Sequence, residues 1–282
     1  MAHPGLLHKY SAQVAFEFNP CGQKKVIVVI GGLSDGLLTV EFAPGLARAV
    51  EKLNFSVLQI QMRSSYKGWG TSSLDTDVED IKKLLEYLRS PEGGSRETII
   101  IMGFSTGSQD VMHYLLRHSN SIEGGIFCAP VSDREGQDPK DLEKLNPKAQ
   151  EMVANGQGNE MLPMNYASYV FDTPITAYRW CSLHVKGGDD DYFSTDLSQE
   201  FFASTFGKID KPFLVAYNEL DEHVPKNVDK PELLKRWQSV SDPKYWSKNS
   251  GIVKGSTHTV AQPEAQQHLF QRVLGFLKEY SF

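Results

Sequence analysis

The chain has 282 residues, 40 % of them hydrophobic and 23 % charged, a composition that suits one large α/β domain. Its formal net charge is −6 and no long Lys/Arg run occurs, which argues against a nucleic-acid partner. The N-terminus lacks a basic stretch followed by an apolar one, no apolar run approaches a membrane span, and Cys21, Cys128 and Cys181 lie far apart; the expectation is a cytoplasmic protein with reduced thiols, no membrane partner and no disulfide framework.

Gln13 to Phe18 alternates like an edge strand, and Lys25 to Ile30 is a continuous apolar run, as in a strand buried on both faces of a parallel sheet. It ends in Gly31-Gly32-Leu33-Ser34-Asp35-Gly36, on the side of an α/β sheet where sites form. Pro44 to Leu53 reads as a helix and Ser56 to Gln61 as the next strand. The Gly/Ser-rich run from Arg63 to Ser73 is a loop at the same edge; Arg63 and Tyr66 are candidates to reach substrate, with a structural salt bridge as the competing role for Arg63. Asp75 to Arg89 is an amphipathic helix with acids first and Arg89 last, as the macrodipole prefers.

The apolar run Ile99-Ile100-Ile101-Met102 then breaks into Gly103-Phe104-Ser105-Thr106-Gly107, and a helical segment follows from Ser108 to His118. Strand, Gly-x-Ser-x-Gly and helix together form the nucleophile elbow of an α/β hydrolase, with Ser105 on the turn. Such enzymes stabilise the oxyanion with the N–H after the nucleophile, here Thr106, and one from the loop after an early strand; Leu33 is nominated, with Gly32 as the alternative. A phosphate-cradling loop at Gly31-Gly32 would need a following P-loop lysine, which is absent.

Gly124 to Ala129 is another buried strand. From 131 to 206 the pattern breaks down, too long for a structureless loop, and reads as a cap inserted within a single domain spanning 1–282. Lys211 to Tyr217 resumes the sheet and leads into Asn218 to Pro225; Gly251 to Lys254 is a last strand before Gly255-Ser256-Thr257-His258; Gln262 to Phe282 is a closing helix. Strand–helix alternation implies a mainly parallel central sheet with helices on both faces, the α/β-hydrolase fold.

Ser105, Asp221 and His258 fall in the chain order nucleophile, acid, base, each in a loop after an expected strand. Glu219, Glu222 and Asp133 are rivals for the acid and His223 for the base. The remaining charged cluster is Asp189-Asp190-Asp191. It lacks the alternating ligands of a Ca²⁺ loop, leaving helix capping with solvated acids, or a site for a cationic substrate group. No protein-bound metal and no cofactor is expected.

Gly-Gly-Leu-Ser-Asp-Gly, Arg-Ser-Ser-Tyr-x-Gly-Trp-Gly-Thr-Ser-Ser-Leu, Gly-Phe-Ser-Thr-Gly-Ser-Gln-Asp and Gly-Gly-Asp-Asp-Asp-Tyr-Phe make the chain resemble the fungal siderophore esterases of the fusarinine C hydrolase type, over most of its length. The resemblance implies a cytosolic serine esterase that opens the ester bonds of a ferric hydroxamate siderophore and so releases iron, the iron belonging to the substrate. Fusarinine C carries protonated amines that its triacetylated relative lacks. On that implication Asp189, Asp190 or Asp191 is expected to select the amine-bearing form.

Overall fold

The computed structural model describes residues 2–282. Strands β1 (Gly5–Lys9) and β2 (Val14–Phe18) form an antiparallel edge. The parallel strands are β3 (Lys25–Ile30), β4 (Phe55–Ile60), β5 (Thr98–Phe104), β6 (Gly124–Cys128), β7 (Phe213–Asn218) and β8 (Gly251–Val253). All eight make one sheet in the order β1-β2-β4-β3-β5-β6-β7-β8, with β5 near the middle. The central parallel strands β3 to β7 lie where the apolar runs put them, because a strand covered on both faces must be apolar throughout. β2, expected at the edge, is instead paired on both sides, because β1 adds beyond it. β1 was not anticipated: Leu6 and Leu7 are 54 % and 63 % exposed, so no buried face marks the strand in its sequence.

Side chains alternate between two cores. Val26, Val28 and Ile30 pack with Ile81 and Leu84 of α2 (Leu74–Arg89), Val111 of α3 (Gly107–His118) and Trp237 of α7 (Lys230–Val240). Ile27 and Val29 face the other way, toward Leu46 of α1 (Ala43–Val50) and Leu269 and Phe276 of α8 (Pro263–Glu279). α7 is a second unanticipated element. Only Leu233, Leu234 and Trp237 of it are buried, too short a stripe to stand out.

The insertion between β6 and β7 divides in two. Leu145 and Ala149 of α4 (Pro139–Ala154) build a separate small core with Tyr166 and with Trp180 and Leu183 of α5 (Ala177–His184). Trp69, from the loop after β4, inserts into it, and Leu33 packs against it. The rest of the expected 131–206 span turns back: Phe193 and Phe206, with Phe202 of α6 (Gln199–Ser204), join Phe127 and Trp237 in the main core. Among the described residues, no helix is long and apolar enough to cross a membrane.

Candidate active site

β5 ends at Phe104 and α3 begins at Gly107, so the chain reverses within Ser105 and Thr106. The bend forces Ser105 to φ +55°, a left-handed conformation that side chains rarely adopt. Backbone crowding explains both motif glycines. A Cβ on Gly103 would stand 2.0 Å from the Gly107 carbonyl oxygen, and one on Gly107 would stand 2.4 Å from that of Ile30. A Cβ on Gly32 would lie 2.7 Å from that of Ser105, so the loop after β3 reaches the serine only because Gly32 has no side chain.

The structure brings Ser105, His258 and Asp221 together in a row. His258 Nδ1 lies 2.8 Å from Asp221 Oδ2, and His258 Nε2 lies 2.8 Å from Ser105 Oγ. A carboxylate only accepts, so Nδ1 carries the proton and Nε2 accepts from the serine hydroxyl. Asp221 and His258 are 5 % and 7 % exposed. The His258 ring packs between Phe104 and the edge of His223, with centroids 5.2 and 4.4 Å away.

The rivals have other partners. Glu222 Oε2 accepts the backbone N–H of His258 at 2.8 Å, and Glu219 Oε2 that of Gly255 at 2.7 Å, so both acids tie down the histidine loop. The His223 backbone N–H donates to Asp221 Oδ1 at 3.0 Å. Asp133 is bonded to Gln109 Nε2 at 2.6 Å and not to His258.

On the opposite side of Ser105 the loop after β3 is held rigidly. Asp35 accepts the Gly32 N–H on one oxygen, at 2.8 Å, and the Thr39 hydroxyl on the other, at 2.7 Å. Burial pushes its carboxyl above the ordinary range, against the pull of those two hydrogen bonds. Gln59, buried in β4, donates to Gly36 O and accepts from Leu38 N–H. Gly32 N–H is thereby occupied. The N–H groups of Leu33 and Thr106 have no acceptor among the described residues. Neither Asp35 nor Gln59 stood out in sequence. Asp35 follows a glycine pair, and Gln59 sits inside an apolar strand, but only the fold shows which backbone groups they hold.

A chamber of about 230 Å³ surrounds Ser105, bounded by Leu33, Thr106, Asp133, Phe171, His223 and His258 among others. It shares Gly136, Gln137, His184 and His223 with an adjoining groove of about 1030 Å³. None of Arg63, Tyr66, Asp189, Asp190 and Asp191 lines the chamber. Arg63 instead bonds Asp80 at 3.0 Å and pairs with Glu79. Tyr66 covers Gly36 behind the loop. Asp189 accepts the Tyr178 hydroxyl at 2.6 Å, and Asp191 is taken up by Arg134, Gly187 N–H and Ser194.

Asp190 is buried and bonds Arg179 Nη1 and Ser182 Oγ, each at 2.6 Å. Arg179, itself buried, also donates to Trp69 O at 3.2 Å and so fastens the cap to the loop after β4. Two more buried carboxyls, Asp77 of α2 and Asp110 of α3, lie within its field. Burial pushes Asp77 up to about 6, and burial together with the Asp77 charge pushes Asp110 well above the ordinary range. One buried cation within reach of several acids is a core feature, and sequence offered no sign of it because its members come from separate segments.

The sheet, the elbow and this hydrogen-bonded row define the class: an α/β hydrolase with the build of a serine ester hydrolase. Within that class the chain belongs to the family described as "Protein of unknown function (DUF1749)", which matches residues 1–278. A UPF0613 protein of Schizosaccharomyces pombe is 36 % identical over 312 residues, 99 % of this chain and 98 % of that protein. Fusarinine C esterase sidJ of Aspergillus fumigatus is 33 % identical over 337 residues, 97 % of this chain and 95 % of that enzyme. The structure titled siderophore hydrolase EstB, also from Aspergillus fumigatus, superposes with a TM-score of 0.85 at 32 % identity, covering 99 % of this chain and 98 % of its own.

Proposed function

We propose that the protein is a serine esterase that cleaves the ester bonds of a fusarinine-type hydroxamate siderophore inside the cell, releasing its iron. The row Asp221–His258–Ser105 carries the reading, since its two 2.8 Å hydrogen bonds supply what a serine nucleophile needs. His258 Nε2 takes the hydroxyl proton as Ser105 Oγ attacks the ester carbonyl, and Asp221 stabilises the imidazolium. The carbonyl oxygen becomes an oxyanion that accepts the free N–H groups of Leu33 and Thr106. Collapse expels the alcohol, which leaves with the proton from His258, and the acyl group stays on Ser105. Water then repeats the sequence and releases the acid. Kinship with two enzymes named for siderophores supports the substrate class. So does the large groove beside the chamber, which has room for a bulky ligand with one ester at the serine.

Ferric fusarinine C incubated with the protein should give linear fragments by mass spectrometry, and none with Ser105→Ala. A protein that reacts with a fluorophosphonate at Ser105 yet leaves the siderophore intact would be an esterase of another substrate class. Asp35 supplies a second test, because it fixes the loop that carries Leu33. Asp35→Ala should lower kcat about a hundredfold with a much smaller change in KM, since a displacement near 1 Å has that cost. Steady-state kinetics on any accepted ester would show it, and an unchanged kcat would remove Asp35 from the mechanism.

A further inference from the structure

The chamber around Ser105 has two carboxyls in its wall, Asp35 and Asp133, and no Lys or Arg. Both oxygens of Asp35 are spent on Gly32 and Thr39. Asp133 differs. One oxygen accepts the Gln109 amide at 2.6 Å, the side chain is mostly buried but keeps some exposure, and among the described residues it has no ion-pair partner. Arg179, whose charge reaches Asp133, is hydrogen-bonded to Asp190 instead. Two of the three chamber histidines, His184 and His223, are held toward the neutral form. Burial holds His184 down at about 3, and burial with the neighbouring His258 holds His223 below its ordinary value. Asp133 is thus a carboxyl without an ion-pair partner in the wall of the chamber that holds Ser105, and burial followed by the Asp190 charge pushes it up to about 7. A group so placed gains from any cation brought to it.

We infer that Asp133 is a specificity residue that receives a positive charge carried by the substrate, so that the chamber favours esters bearing an organic cation on the acyl side. The inference rests on the esterase reading and adds a substrate feature to it. It also moves charge recognition away from Asp189, Asp190 and Asp191, whose partners are already supplied by the protein.

The test uses two nitrophenyl esters alike in shape, one with an acyl chain ending in trimethylammonium and the other ending in tert-butyl. The cation is permanent, so only the protein titrates. The readout is the ratio of kcat/KM for the two esters, which does not depend on how much of a variant is folded. Wild type should favour the cationic ester over the Asp133→Asn ratio by roughly tenfold, the size expected of a charge pair a few ångströms apart in partly screened surroundings. Asp133→Glu should keep the preference. The wild-type ratio should rise as pH passes upward through about 7 and Asp133 ionises, while Asp133→Asn stays flat. Equal ratios in wild type and Asp133→Asn, with both esters hydrolysed, would overturn the inference and leave the esterase reading standing. Hydrolysis of neither ester and no fluorophosphonate labelling of Ser105 would overturn that reading and the inference with it.

Discussion

Ser105→Ala should lower kcat/KM by about a millionfold, and His258→Ala by a similar factor, while the double variant should be scarcely worse than either. The non-additivity follows from the geometry. Nε2 of His258 acts only through the serine hydroxyl 2.8 Å away, so without one partner the other has nothing to do. The residual rate should come from substrate held against the N–H groups of Leu33 and Thr106, which we propose form the oxyanion hole and which neither substitution touches. Ser105→Ala keeps the backbone strain at φ +55° and removes one oxygen, so thermal unfolding should occur within a few degrees of wild type. Initial rates with a chromogenic ester and with ferric fusarinine C, beside a melting curve, would check both halves. Retention of more than about one per cent of activity by folded Ser105→Ala would exclude Ser105 as the nucleophile, a far smaller loss than such knockouts produce.

The sequence disclosed features whose cause is local or whose pattern is dense. β5 and the elbow stand out because an apolar run buried on both faces ends in two glycines that backbone crowding requires. The chain order of Ser105, Asp221 and His258 was legible because each follows a strand, the first two after buried apolar runs and His258 after the short Gly251–Val253. Features that depend on long-range neighbours were not legible. β1 has no buried face to alternate, and α7 buries three residues in an otherwise polar stretch. The three consecutive acids looked like one cluster, yet each faces a different partner, because successive residues of an irregular loop point in different directions. The burial of Asp190 was not legible, since burial of an acid depends on a cation that sequence cannot place beside it. Asp35 and Gln59 went unnoticed for the same reason: the groups they hold are backbone atoms.

Arg179→Met should destabilise the protein by about 3–5 kcal/mol near pH 8, the usual cost of removing one member of a buried charge network. Near pH 5 the loss should be distinctly smaller. Asp77 is held up at about 6 in the fold against an ordinary value of 3.8, so the stability it contributes is fully present below the ordinary value and is lost as pH rises through about 6. Asp110 is raised further and acts in the same sense. Without Arg179 to offset them, these two carboxyls must take protons to stay buried, and only acid supplies those protons cheaply. Urea unfolding followed by tryptophan fluorescence suits the measurement, because Trp69 and Trp180 lie in the cap core that Arg179 fastens. The damage should also reach the active site. Leu33 packs against that same core and also lines the chamber around Ser105, so loosening this core disturbs the loop that we propose holds the oxyanion. The variant should therefore lose kcat under conditions where it is still folded, and recover part of its stability, but not its rate, on acidification. A variant as stable as wild type at both pH values would mean that Asp77 and Asp110 hold their protons without help. The cap would then be fastened by its apolar core alone.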